Sequence, residues 1–401
     1  MLCDPQAHYP CGTPYHETWR FVDSSKLSDL ERCERHFFYR YVVGLIRDYE
    51  SRHTAWGGAF HVALEVLGII NKDLILPGVD IFHDYQRLLS LDTPIDRASL
   101  ILLYEYAEAG HVIPLEAFTK AMETLTETIP AERWEEMEEE WYPKTPGRLA
   151  TAILHYIHNH AKDSALYRPY NWEGNSMEVK MSFDFPLGDD GVLYKGRFDK
   201  LIQDKTTNRV LAREHKTGIV WNTWAEQWQF SLQIGAYNTM LRFFLGQGSD
   251  SFTTVQVDGT LLRKYKVNTK ADSRNPFRHL QYLRVNERRN FDQCMLWWAQ
   301  VETRLSQLQS YFEALSEAKE GDPMLMTFPM KTGNCHNTFG RRCTYADLCS
   351  CSANPLSLLA DGTPHGFTRK FWDPDNEGTG VQVSVDSSGQ RHLVEEGCGN
   401  G

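Results

Sequence analysis

The chain has 401 residues, a formal charge of −11, 24% charged and 41% hydrophobic side chains. That length predicts two or three domains, or one elaborated domain with a real core, and the composition excludes collagen-like, coiled-coil and wholly disordered chains. The longest apolar stretch, 59–70, is short and contains His61 and Glu65, which argues against a membrane-spanning helix. The start, Met1-Leu2-Cys3-Asp4-Pro5, lacks the regions of a secretory signal. Nine cysteines are an odd number and too few for a disulfide scaffold. Both features point to a reducing, cytoplasmic compartment. The acidic balance argues against coating duplex nucleic acid by bulk charge. A local basic groove from Arg263, Lys264 and Lys266, with Arg284, Arg288 and Arg289, remains open.

Residues 1–23 carry Pro5, Pro10 and Pro14 and read as an irregular arm. In 24–70, Ser24, Ser25 and Ser28 supply caps, and Leu27, Leu30, Phe37, Phe38 and Tyr41 suggest helix. Gly57-Gly58 precedes a second helix over 59–70, with Phe60, Leu64 and Leu67 three to four apart. Residues 71–175 read as a helical insertion broken by prolines, with the glutamate run of 135–140 as a solvated face. His155, His158 and His160 do not share one helical face, which argues against a shared metal. Residues 176–320 form the predicted core. Strands are expected over 177–187, 192–202 and 209–216, a helix over 224–245, a strand over 252–267 broken at Asp258-Gly259, and a helix over 291–315. A cysteine-rich segment, 321–352, precedes a Gly-, Asp- and Ser-rich tail, 353–401, expected to be partly disordered.

Chemistry concentrates on the middle strands. Glu214 and Lys216 are two apart and share a strand face. If the polar connection 204–208 is a hairpin centred on Thr206-Thr207, Asp199 lies opposite Glu214. Opposed side chains project together about 4.5–5.5 Å apart. Phe198, Ile202 and Leu211 would then form an apolar underside. Two such carboxylates repel unless neutralised, and Mg²⁺ or Mn²⁺ does so with oxygen ligands while retaining water for hydrolysis. Lys216 is positioned to orient that water or to neutralise charge developing on a phosphate.

With these residues the chain resembles the PD-(D/E)XK nucleases, in the RecB/AddB-like branch close to the CRISPR-associated adaptation nucleases and phage RecB-like exonucleases. The resemblance rests on Asp199 with Glu214-His215-Lys216, on Gly57-Gly58-Ala59-Phe60-His61 upstream, on Gln233-Ile234-Gly235-Ala236-Tyr237 downstream, and on Glu178 opening the first core strand. It implies an α/β restriction-endonuclease-like core: a mixed sheet flanked by helices. It also implies metal ligation by His61, Asp199 and Glu214, with His215 added to that set, and a catalytic role for Lys216. Gln233 and Tyr237 would help place the active strand or the DNA.

Four of the nine cysteines fall within 335–351, a density that asks for a metal explanation. Thiolates suit zinc or an iron–sulfur cluster, and a cubane needs four ligands. The resemblance implies a 4Fe-4S cluster on Cys33, Cys335, Cys343 and Cys349, clasping the two ends of the chain. Cys335 and Cys343 are separated by seven residues where the family often has two, and Cys351 is an alternative to Cys349. Zn²⁺ is the alternative ion, and four free buried cysteines the bland reading.

The function expected is divalent-metal-dependent hydrolysis of DNA, exonucleolytic by resemblance, in recombination, repair or phage DNA processing. The substrate would be single-stranded DNA or DNA with free ends. No Gly-x-x-x-x-Gly-Lys-Ser/Thr motif occurs, so ATP-driven unwinding would fall to a helicase or recombination partner. The alternatives are an inactive iron–sulfur DNA-binding subunit of a helicase–nuclease or CRISPR adaptation complex, and a zinc-stapled structural protein. An intact Asp/Glu/Lys set argues against the first.

Overall fold

The computed structural model describes residues 2–10, 12–47, 52–70, 79–129, 143–172, 175–176, 181–187, 192–220, 222–246, 251–263, 271, 274–335, 342–372, 381–385 and 391–394. Glu178, the turn at 188–191, the acidic run, Trp221, Lys264, Lys266, Cys11 and Cys398 lie outside the described residues. The helices are α1 (Ser24–Arg32), α2 (Glu34–Phe37), α3 (Arg52–Ile70), α4 (Ile81–Ser90), α5 (Ile95–Glu108), α6 (Ile113–Thr128), α7 (Pro146–His160), α8 (Asp163–Leu166), α9 (Leu232–Leu245), α10 (Phe291–Glu317), α11 (Ala346–Cys351) and α12 (Pro355–Ala360). The strands are β1 (Phe21–Val22), β2 (Leu45–Arg47), β3 (Tyr167–Pro169), β4 (Asn171–Trp172), β5 (Asn175–Ser176), β6 (Met181–Leu187), β7 (Val192–Phe198), β8 (Lys200–Asp204), β9 (Val210–Ile219), β10 (Thr253–Leu262), β11 (Leu280–Arg289), β12 (Phe367–Arg369), β13 (Val381–Val385) and β14 (Arg391–Val394). No described helix is long and apolar enough to cross a membrane.

Two five-stranded sheets organise the core, in the orders β1-β7-β6-β13-β14 and β11-β10-β9-β8-β3. The chain passes from one to the other between β7 and β8, at the single residue Asp199. The β8–β9 hairpin pairs Lys200 with Arg213 and Gln203 with Val210, the register expected from a turn on Thr206-Thr207. β9 and β10 run parallel, and β10 and β11 antiparallel, so this sheet is mixed.

Each face of the second sheet meets a different core. On one, Leu201, Ala212, Val255, Val257 and Leu261 join Ile234 and Ala236 of α9 and Trp297 and Val301 of α10. On the other side α3–α7 build a second cluster around Trp56, Phe60, Leu102 and Ile153, reaching Leu262 and Leu280 of the sheet. The expected apolar underside is therefore incorrect in part. Phe198 packs against Tyr237 at 4.9 Å and belongs to the first core, while the second face below Glu214 carries the buried Arg213, His215 and Asp258.

Other elements differ from the sequence reading for visible reasons. α3 runs through Gly57-Gly58 instead of starting after them. A Cβ on Gly57 would stand 3.3 Å from Thr217 Oγ1, so the small residue serves helix–strand approach. β10 is continuous through Asp258-Gly259, because Gly259 lies under the Trp224 ring and Asp258 is held by ion pairs. The helix expected over 224–245 is a short 3₁₀ turn, Glu226–Trp228, followed by α9. β11, rich in charged residues, was not expected as a strand. Within the described part of the tail, α12 buries Leu356 and Leu359, and β12 pairs with β2.

The two ends of the chain are laced together. Arg35 donates to the carbonyls of Phe328 (2.8 Å) and Leu325 (3.2 Å), Arg47 to that of Thr344 (3.0 Å), and Tyr345 to that of Leu45 (2.6 Å).

Candidate active site

Three elements bring the expected residues together. Alternation along β9 turns Glu214 and Lys216 to the same face. The inter-sheet bend delivers Asp199, whose Oδ2 accepts the His215 backbone N–H at 2.8 Å. Ser231 caps α9, its side chain accepting the Ile234 N–H, and sets Gln233 in the first turn over the strand.

A continuous hydrogen-bonded chain results. Lys216 Nζ donates to Glu214 Oε1 at 2.5 Å and to Gln233 Oε1 at 2.8 Å. Gln233 Nε2 donates to Glu214 Oε1 and to the Tyr237 hydroxyl, both at 2.9 Å. Tyr237 donates to the Arg197 carbonyl at 2.5 Å, two residues before Asp199. Gln233 and Tyr237, one helical turn apart, thus tie α9 to both carboxylate-bearing segments. From α3, His61 Nδ1 stands 3.5 Å from Asp199 Oδ2.

The electrostatics ask for a cation. Burial, and then the Asp199 carboxylate, push Glu214 up to about 8, with Lys216 offsetting only part of the rise. Burial acts on Asp199 in the same sense, but His61, His215 and the backbone N–H outweigh it and hold that carboxyl below its ordinary value. The metal-free pair therefore keeps a proton on Glu214. Glu214 Oε2 is buried without a hydrogen-bond partner, and a hard cation's charge would satisfy it.

A description of the PD-(D/E)XK nuclease superfamily matches residues 24–350, most of the chain. The chain belongs to the PD-(D/E)XK nuclease superfamily. Members are typically metal-dependent nucleases. No curated protein matches this sequence. The superfamily match spans α3 with His61, the strands with Asp199 and Glu214, α9, and the cysteines at 33, 335, 343 and 349. It also runs through the helices of 71–175, where the sequence carries no motif.

For a PD-(D/E)XK nuclease the oxygen donors of Asp199 and Glu214, with the His61 imidazole, make a fitting divalent-cation set. His215 does not join them through its side chain, a correction that follows from alternation along β9. Its imidazole lies on the opposite face, where His160, His215 and Asp258 have ligand atoms all within 4.8 Å of one another. That cluster is already neutral. Arg284 donates to both Asp258 (2.7 and 2.8 Å) and Asp163 (2.8 and 2.9 Å), and Arg213 donates to Asp163 at 2.6 Å. Two guanidiniums balance two carboxylates, so a cation there would add uncompensated charge to a buried site. His160 Nε2 donates to the Asp258 carboxylate at 2.8 Å, and burial lowers both histidines' affinity for protons, His215 to about 3.

The expected basic groove is correspondingly smaller. Arg284 is committed to the buried network. Trp224 is buried over Gly259, whereas Lys216 Nζ lies 5.8 Å from the Trp228 ring centroid. Sequence reasoning missed the Asp163–Asp258–Arg213–Arg284 network, because no local spacing links its members. It also missed Lys144, buried and lowered by that burial to about 8, which reaches Thr217 Oγ1 on β9 at 3.3 Å.

The four cysteines converge from the two chain ends. Cys33 sits between α1 and α2 and its Sγ accepts the Lys331 N–H at 3.5 Å. Cys343 N–H donates to the Cys335 carbonyl at 2.8 Å. Burial raises the Cys343 and Cys349 thiols, Cys349 to about 11, and both also feel the charges of Cys33 and Cys335. Cys351 is exposed, and Cys294 is buried in α10.

Proposed function

We propose that the chain is a divalent-metal-dependent deoxyribonuclease acting on DNA with a free end. The observation that carries the reading is the meeting of Asp199 and Glu214 at Lys216, with one buried Glu214 oxygen lacking a partner. Asp199, Glu214 and His61 would hold a divalent cation, which would supply positive charge against the phosphate and favour ionisation of a water. Lys216, held between Glu214 and Gln233, orients that water and stabilises charge developing on the phosphate. Gln233 and Tyr237 keep Lys216 and the Asp199 bend in register. The exonucleolytic mode, and a place in recombination, repair or phage DNA processing beside a helicase, rest on the resemblance to the RecB/AddB-like branch.

The test compares end-labelled linear and covalently closed circular DNA, single- and double-stranded, with Mg²⁺ or Mn²⁺ and with a chelator. Mononucleotide or short-oligonucleotide release from linear DNA alone is expected. Efficient cutting of closed circles would make the enzyme an endonuclease, and metal-independent cutting would remove the mechanism.

A second proposal concerns the cysteines: Cys33, Cys335, Cys343 and Cys349 hold a structural 4Fe-4S cluster. Their convergence from opposite chain ends supports it. Anaerobically purified protein should be brown with about four irons per chain. Colourless protein with one zinc would replace the cluster by a zinc clasp.

A further inference from the structure

The segment 222–231 straps across the second sheet beside Lys216. Its Trp224 is 1% exposed and sits on Gly259, where an added Cβ would stand 2.3 Å from the ring. Gly259 pairs with Lys216 on β9 and with Leu283 on β11. Strand spacing then puts Leu283 about 10 Å from Lys216 across the sheet. Beyond Trp224, Leu283 and Val220 floor an open cleft of about 840 Å³, and Asn222, Arg263 and Gln281 lie along it. Arg263 is exposed and donates to Gln281 Oε1 at 3.0 Å, one of the five donors its guanidinium has.

We infer that this cleft holds an unpaired nucleotide next to the scissile phosphate, its base on the apolar floor beside Trp224 and its phosphate on Arg263. The inference rests on the nuclease reading, for it takes the bound strand to run past Lys216. An apolar floor with two amides and a guanidinium suits a base, which has a π-face and polar edges. A paired base is stacked on its neighbours and enters such a cleft only when unpaired, so the cleft selects single strands or frayed ends. On a chain of net charge −11, an exposed guanidinium just past the strand that pairs with that of Lys216 is a directed contact for a phosphate, not part of a general basic coat.

Fluorescence anisotropy of labelled oligothymidylate, in Ca²⁺, tests the cleft on the full chain with Ala225→Trp, which fills it, and Arg263→Ala. Both positions are exposed, so both variants should fold. Each should bind the single strand about tenfold more weakly and blunt duplex as the wild type does. Arg263→Ala should also lower the salt slope by about 0.7. Single-strand binding that is absent in the wild type, or undiminished in Ala225→Trp, would overturn the inference. Failure to hydrolyse any phosphodiester, with single-strand binding still weakened by Ala225→Trp, would overturn the nuclease reading and leave the cleft.

Discussion

At Glu214 the carboxyl takes a proton far above the pH at which an unfolded glutamate would, because burial and the neighbouring Asp199 both oppose its charge. A group raised in this way stabilises the metal-free fold fully below its unfolded value of 4.5, and that contribution is lost as pH climbs through about 8. Metal-free protein should therefore lose Tm between neutral and alkaline pH, Mg²⁺ should restore it increasingly as pH rises, and Glu214→Gln should flatten both trends. Below about pH 8 metal binding should release a proton, read by calorimetry in buffers of different ionisation enthalpy. Asp199→Ala should cost at least about a hundredfold in cleavage with the fold retained. Lys216→Ala should lose turnover while retaining DNA binding, and full activity in that variant would remove the lysine from the mechanism.

Among the elements, β9 and β10 show how small residues serve contact. Gly259 is the floor on which Trp224 rests, so Gly259→Ala should displace the indole, cost about 1–3 kcal/mol and shift tryptophan emission to the red. α1 and α2 meet the C-terminal segment through Arg35 and Cys33. Cys33→Ser should lower Tm and bleach any cluster, because a link joining Cys33 to Cys335 closes nearly the whole chain into one loop. A cluster undisturbed in Cys33→Ser would show that Cys351 completes a purely C-terminal site.

On the scale of the whole molecule, β9 lies between two cores, and a buried charge network fills the face turned to α7 and α8. Asp258→Ala should cost about 3–5 kcal/mol, because it leaves Arg284 and His160 buried without their partner. His155 and His215 are both held neutral, each lowered by burial to about 3. Their contribution is present above the unfolded value of 6.5 and is lost as pH falls toward 3, the opposite window to that of Glu214. Thermal scans of the metal-free protein should show Tm falling below about pH 6.5, with a shallower slope in His155→Phe.

Residues close in sequence could be read without the fold. The β8–β9 register, the shared face of Glu214 and Lys216, the turn-spaced Gln233 and Tyr237, and the long helix α10 all follow from periodicity or a short loop. Glu-x-Lys with Asp199 at matching parity was enough to point to the candidate site, whose side chains the fold brings together. Tertiary structure alone decided the rest. Alternation on β9 carries the His215 imidazole away from Glu214, but only helices α7 and α8 packed beneath the sheet make that far face a charged network. β11 is a strand because its backbone pairs along the whole length of β10, although its side chains are largely polar. The cleft beside Trp224 exists because the strap, the end of β9 and the start of β11 meet there. Such contacts join residues tens to hundreds of positions apart, and their free energy comes from burial and pairing that no local window of sequence contains.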